Sequence, residues 1–200
     1  MIQRPASWSH PGTAVPARAP IPVIGFVGAS GSGKTTLITR VLPLLANVGR
    51  RVAVLKHARH GFDIDRPGKD SYRAREAGAA QVLVASRNRW ALLTETPSDA
   101  SEPHFLDLLS RFNPLEIDLV LAEGFASEPY PKIEVYRPSH GQPPKCWPRD
   151  PDVCAVACDE LVAVSVPVIH LDLNRPDLVA HYLLTASPVA FRPPAAIHAD

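Results

Sequence analysis

Runs of five or six apolar residues alternate along this chain with stretches whose apolar positions recur every three or four residues. Val23-Ile24-Gly25-Phe26-Val27 is the first such run and reads as a buried strand. A glycine-rich loop follows it, then a helix from Lys34 to about Asn47 with Leu37, Val41, Leu44 and Leu45 at helical spacing. Gly49 suits the end of that helix, because glycine takes the left-handed backbone of a helix C-terminus without steric penalty. The segment from Arg51 to Lys56 predicts a second strand, and a polar connection through Pro67 and Gly68 leads to a short helix at 69–77 that ends at Gly78. A strand is expected from Gln81 to Ala85, with another from Trp90 to Leu93 beside it. A helix from Pro103 to Phe112 turns Phe105, Leu108 and Leu109 inward.

The pattern continues with a buried strand from Ile117 to Ala122, a strand from Lys132 to Tyr136, a proline-rich loop at 138–151, and strands at 153–157 and 167–171. A helix from Pro176 to Leu184 closes the series. Strands that alternate with helices and read as near-continuous apolar runs predict an α/β fold with a mostly parallel sheet flanked by helices, the P-loop NTPase architecture once the loop chemistry below is added. Ligands in such sheets sit beyond the carboxyl ends of the strands. The expected organisation is a disordered proline-rich leader at 1–21, one nucleotide-binding domain at 22–184, and a flexible tail at 185–200.

Composition changes this picture little. The formal charge of +1 gives no electrostatic sign of nucleic acid or of an anionic membrane as partner. No apolar run approaches the roughly 20 residues that span a bilayer, and the first residues lack the basic-then-apolar order of a secretion signal, so a cytoplasmic location is expected. Cys146, Cys154 and Cys158 form no C-x-x-C pair and read as reduced, structural residues.

The chemistry begins at Gly28-Ala29-Ser30-Gly31-Ser32-Gly33-Lys34-Thr35-Thr36. Glycines at this spacing, between a strand and a helix, remove side chains so that successive backbone N–H groups converge on phosphate oxygens. The helix start adds unpaired amides and the positive end of its dipole. Residues expected to bind the nucleotide are Gly28, Ser30, Gly31, Ser32, Gly33, Lys34, Thr35 and Thr36. Lys34 would reach the β- and γ-phosphates, Thr35 would ligate Mg²⁺ through its hydroxyl, and Thr36 would bond an α-phosphate oxygen.

Such a loop needs a second acidic group at the end of a neighbouring strand. Glu123, which follows the apolar run 117–122 and precedes Gly124, fits that need. The connection from His57 to Ser71 leaves the carboxyl end of the second strand and is dense in polar chemistry. Asp65 could contact Mg²⁺ or its water and Lys69 could neutralise phosphate charge. Alternatively Lys69 or Asp70 merely starts the next helix while Asp63 and Asp65 are solvated turn residues. The expected catalytic set is Asp65, Lys69 and Glu123, and the expected metal set is Thr35, Asp65 and Glu123. His57, His60 and Asp63 lack further ligands at zinc-like spacing and read as hydrogen-bonding residues. Asn174-Arg175-Pro176-Asp177 imitates a guanine-reading motif, but Arg in place of Lys and a Pro that starts a helix make it a decoy.

The strings GASGSGKTTLI, LKHARHGFDIDRPGKDSYRAREAGA, ASRNRWALLTE, DLVLAEGF and PKIEVYR together resemble the MobB family, P-loop GTPases that assist attachment of the guanine nucleotide in molybdopterin-guanine dinucleotide biosynthesis. The resemblance covers residues 22–184, and the FDIDRPGKDS segment joined to REAGA and RWALL is its most specific part. It implies a homodimer, GTP with Mg²⁺, slow hydrolysis, and an adapter role beside the molybdenum cofactor guanylyltransferase. It also assigns Asp65, Lys69, Asp70 and Glu123 to the surroundings of the nucleotide and Mg²⁺. The leader and the stretch from Ser139 to Pro151 depart from the family pattern. Two other functions compete: a small-molecule kinase in which Ser71 to Arg75 forms an arginine-bearing lid and Asp63 or Asp65 is the base, and a dimeric scaffold that holds nucleotide without using its hydrolysis.

Overall fold

The computed structural model describes residues 21–58, 61–96, 104–160 and 168–186. Most of the expected leader and tail therefore lies outside the described residues, as do His60 and Pro103. Eight strands and four helices are described: β1 (Val23–Val27), α1 (Lys34–Asn47), β2 (Val52–Lys56), α2 (Asp70–Glu76), β3 (Gln81–Ala85), β4 (Trp90–Thr94), α3 (Phe105–Leu109), β5 (Leu119–Glu123), β6 (Lys132–Tyr136), β7 (Val153–Cys158), β8 (Ile169–Asp172) and α4 (Pro176–Thr185).

Six strands form one parallel sheet in the order β2-β5-β1-β6-β7-β8. Among the described residues β3 and β4 pair only with each other, as an antiparallel hairpin from Gln81↔Thr94 to Ala85↔Trp90. Leu83, Trp90 and Leu92 are exposed there, so this hairpin contributes little to the core of the parallel sheet.

Alternation along the strands builds two apolar layers. Ile24 and Phe26 of β1, Leu121 of β5, Ile133 and Val135 of β6 and Ala155 and Ala157 of β7 face one side, where Leu37, Val41 and Leu45 of α1 and Val179 and Leu183 of α4 cover them. On the other side Val23, Ala53, Val120 and Ala122 meet Phe105, Phe125 and Tyr130, while Val27, Val153 and Val156 meet Cys146 and Trp147. A helix thus covers only part of the second face. α3 is a single short helix, shorter than the expected 103–112 span, with Phe105 buried and Leu108 and Leu109 packed at the margin. The proline-rich segment around Cys146 and Trp147 supplies the remaining cover.

Two glycines in and after β1 answer to contacts. A Cβ on Gly25 would lie 2.6 Å from the Tyr130 ring, and one on Gly28, at φ +129°, would lie 2.3 Å from the Val135 carbonyl oxygen. The chain can therefore pack Tyr130 flat over β1 and bring the start of the loop against β6.

Buried charges hold the proline-rich segment. The Glu134 carboxylate, 1% exposed, accepts hydrogen bonds from the backbone N–H groups of Lys145, Cys146 and Trp147. Lys132, on the same face of β6, donates to Asp150 at 2.8 Å. A fully buried carboxylate and ammonium persist only when paired in this way.

Candidate functional site

All six parallel strands end on one rim, and the central strand β1 delivers the glycine loop there. Gly33 takes φ +101° at the start of α1, so the backbone swings from the loop into the helix with no side-chain cap; the first amides of α1 point outward. A cleft of about 340 Å³ opens in front of them, lined by Ser30, Gly31, Gly33, Lys34, Thr35, Thr36, Lys56 and Glu123. Of the expected nucleotide-binding residues, Ser30, Gly31, Gly33, Lys34, Thr35 and Thr36 line it directly. Gly28, half-buried, and Ser32, buried, belong to the same loop but lie outside this lining.

The Lys34 ammonium lies along the loop and donates to the carbonyl oxygens of Ala29 at 2.7 Å and Gly28 at 3.2 Å. Burial pushes its pKa below the usual lysine value, Lys145 and Lys56 add to that push, and Glu123 opposes it. The Thr35 hydroxyl donates to Glu123, 2.8 Å from Oε1. Register explains the meeting: Phe26 of β1 and Lys56 of β2 both sit opposite Glu123 of β5, which places the acidic residue between the phosphate loop and the second strand. Gly124 then lets the chain turn tightly, since a Cβ there would meet the His57 Cβ at 2.9 Å. His57 stacks on Phe125 with ring centroids 4.8 Å apart.

Asp65 and Lys69 stand elsewhere. Asp65 accepts from the Arg66 N–H at 2.9 Å, the Ser71 hydroxyl at 2.8 Å and Arg75 Nε at 3.3 Å. Burial pushes its pKa up, and these bonds outweigh that effect and hold it below the ordinary carboxylate value. Lys69 is exposed immediately before α2, which begins at Asp70. Neither residue lines the cleft. Among the described residues no group of three His, Cys, Asp or Glu side chains is arranged to hold a metal. Thr35 and Glu123 do fit Mg²⁺, a hard cation that takes oxygen ligands and keeps several waters. In the Asn174–Asp177 stretch, Arg175 and Asp177 pair with each other at 2.7 Å at the start of α4.

Two groups beside the loop escaped sequence reasoning. Lys56 donates to Thr35 Oγ1 at 3.4 Å and lies 3.4 Å from Glu123 Oε2. Arg137, immediately after β6, donates from Nε to the Ser32 carbonyl at 3.1 Å and pairs through Nη1 with Asp159, immediately after β7. Lys56 closes the expected strand at 51–56, a placement that marks strand ends as candidates once the neighbouring strands are known. Arg137 has no local signal, since its partner in the loop is 105 positions away.

A parallel sheet whose central strand feeds a glycine loop into a helix, with an acid on the adjacent strand held against the first helical threonine, defines a P-loop NTPase-like fold. The family model described as "Molybdopterin guanine dinucleotide synthesis protein B", MobB, matches residues 23–159. A molybdopterin-guanine dinucleotide biosynthesis adapter protein of Escherichia coli (strain K12) is 43% identical over 164 residues, covering 82% of this chain and 92% of the relative. A Haemophilus influenzae protein of the same name is 42% identical over 165 residues, covering 82% and 88%. The crystal structure of a molybdopterin-guanine biosynthesis protein B superposes with TM-score 0.62 at 28% identity, covering 82% of this chain and 99% of that one. Bacillus subtilis MobB does so with TM-score 0.59 at 28% identity, covering 80% and 97%. The chain belongs to the MobB family.

Proposed function

We propose that this protein is a GTP-binding, Mg²⁺-dependent adapter that assists guanine-nucleotide attachment in molybdopterin-guanine dinucleotide biosynthesis. The observation that carries the reading is the Thr35–Glu123 contact at the mouth of the glycine loop, in a chain of this family. Backbone amides of residues 28–33 would cradle the phosphates, Lys34 would take the β- and γ-phosphates, and Thr36 the α-phosphate. Thr35 and Glu123 would hold Mg²⁺, which when bound supplies charge neutralisation across the phosphates. Asp65 and Lys69 join this set if nucleotide draws the 61–69 connection over the cleft, which requires Asp65 to leave Ser71 and Arg75.

Slow hydrolysis accords with a cleft whose lining offers Glu123 as its one carboxylate, already engaged by Thr35 and Lys56. The partner in this reading is the molybdenum cofactor guanylyltransferase. The protein itself acts as a homodimer, for which the β3–β4 hairpin, with Leu83 62% and Trp90 71% exposed, offers an apolar surface. No described helix is long and apolar enough to cross a membrane, and the proposed location is the cytoplasm. In the kinase alternative one of the two lid arginines, Arg75, is already engaged by Asp65 and by Glu95 at 2.8 Å. Calorimetry of GTP and ATP with Mg²⁺ on the wild type and on Lys34→Ala tests the proposal. GTP heat in the wild type that vanishes in the variant supports it, and undiminished GTP affinity in Lys34→Ala overturns the site.

A further inference from the structure

The Lys56 ammonium lies against the two oxygens, Thr35 Oγ1 and Glu123 Oε2, that would hold a divalent cation in the reading above. The Thr35 hydroxyl spends its hydrogen on Glu123, which leaves oxygen lone pairs as its acceptor face, and Lys56 Nζ donates to that oxygen from 3.4 Å. The same nitrogen lies 3.4 Å from Glu123 Oε2. The carboxylate side chain is 12% exposed and the lysine side chain 53% exposed, so the acid is fixed while the ammonium sits on a movable stem at the cleft mouth. Its backbone is pinned opposite Glu123 in the sheet, and the side chain lines the same cleft as Gly31 and Lys34.

We infer that Lys56 is a displaceable cation that couples metal binding to the outermost phosphate of the nucleotide. Resting on Glu123 and Thr35, it neutralises the carboxylate and competes with a divalent ion. When Thr35 and Glu123 take the ion, like-charge repulsion expels the ammonium, and its anchorage at the strand end keeps it within the cleft. A terminal phosphate there is the anion that receives it. A diphosphate has no phosphate at that position, so Lys56 would sense whether a third phosphate is present. This deepens the nucleotide reading above and rests on it.

Two measurements on Lys56→Met test the inference. The first is Mn²⁺ titration of the nucleotide-free protein followed by electron paramagnetic resonance. Removing a positive charge beside the carboxylate is expected to tighten Mn²⁺ binding about tenfold. Unchanged Mn²⁺ affinity overturns the competition. The second is calorimetry of GDP and a non-hydrolysable GTP analogue with Mg²⁺. The preference for triphosphate is expected to fall about tenfold with GDP affinity held within about twofold. Equal weakening of both nucleotides, or an unchanged ratio, overturns the sensing role and makes Lys56 an ordinary basic rim residue. A wild type that binds neither nucleotide overturns the nucleotide reading itself, and with it the sensing step, while the Mn²⁺ arm still decides the competition. Thermal melts of the variant, whose side chain is half exposed, establish that it folds.

Discussion

Replacing Glu134 by Gln tests how the proline-rich segment is held. The wild-type carboxylate receives amides from two sides: Lys145 on Oε1, Trp147 on Oε2 at 2.6 Å, and Cys146 shared between the two at 3.1 Å from each. A Gln offers one oxygen and one NH₂ group, so one side faces donor against donor. A buried amide left without an acceptor costs about 1–3 kcal/mol, and losing charge assistance on the remaining bonds costs about 1 kcal/mol more. The sum, about 2–4 kcal/mol, is a large share of the roughly 5–15 kcal/mol that keeps a domain folded. For a chain of this size each kcal/mol lowers Tm by about 2–4 °C, so Glu134→Gln is expected to melt roughly 5–15 °C below wild type. Circular dichroism melts at neutral pH measure this. A Tm within about 2 °C of wild type would refute the assignment of Glu134 as the anchor, since no rearrangement of a fully buried amide restores acceptors on both sides for the three N–H groups.

Further outcomes follow from the same contacts. Asp118, held down to about 2 by hydrogen bonds from the Arg51 side chain and backbone, contributes stability that is present above its ordinary value of 3.8 and is lost as pH falls toward 2. Asp118→Asn should remove that part of the acid limb in urea titrations at stepped pH, and an unaltered limb would discard the pairing. Gly25→Ala drives a methyl 2.6 Å from the buried Tyr130 ring and should cost about 1–3 kcal/mol in chemical denaturation. Burial pushes the Cys146 and Cys158 thiols up, so native protein at pH 8 should yield at most the Cys154 thiol to Ellman's reagent, and all 3 in denaturant. Rapid titration of Cys146 or Cys158 in the native protein would show that the cover over β7 opens freely.

Local chemistry was legible and long-range pairing was not. The loop from Gly28 to Thr36 could be read because phosphate binding demands contiguous backbone amides, and β1 and α1 begin and end as their apolar spacing predicts. The position of Glu123 at a strand end beside the loop could be read because it terminates an apolar run. The strand from Lys132 to Tyr136, by contrast, alternates charged and apolar residues, a pattern suggesting a wet face. Yet Lys132 and Glu134 are each 1% exposed, because a segment more than ten residues downstream folds over them. Lys56 and Arg137 acquire meaning only from strand order, which sets β2 and β6 on either side of the loop through β5 and β1. The β3–β4 hairpin has strand composition, and nothing in its own residues states that it stands outside the main sheet.

The Lys34 ammonium hydrogen-bonds two carbonyls of its own loop, so in the proposed reading phosphate capture would be an exchange at a single nitrogen. An arriving anion would have to outcompete oxygens already seated within 3.2 Å, and its affinity would be the difference between two sets of partners. Those two bonds also brace the curl of the backbone from inside.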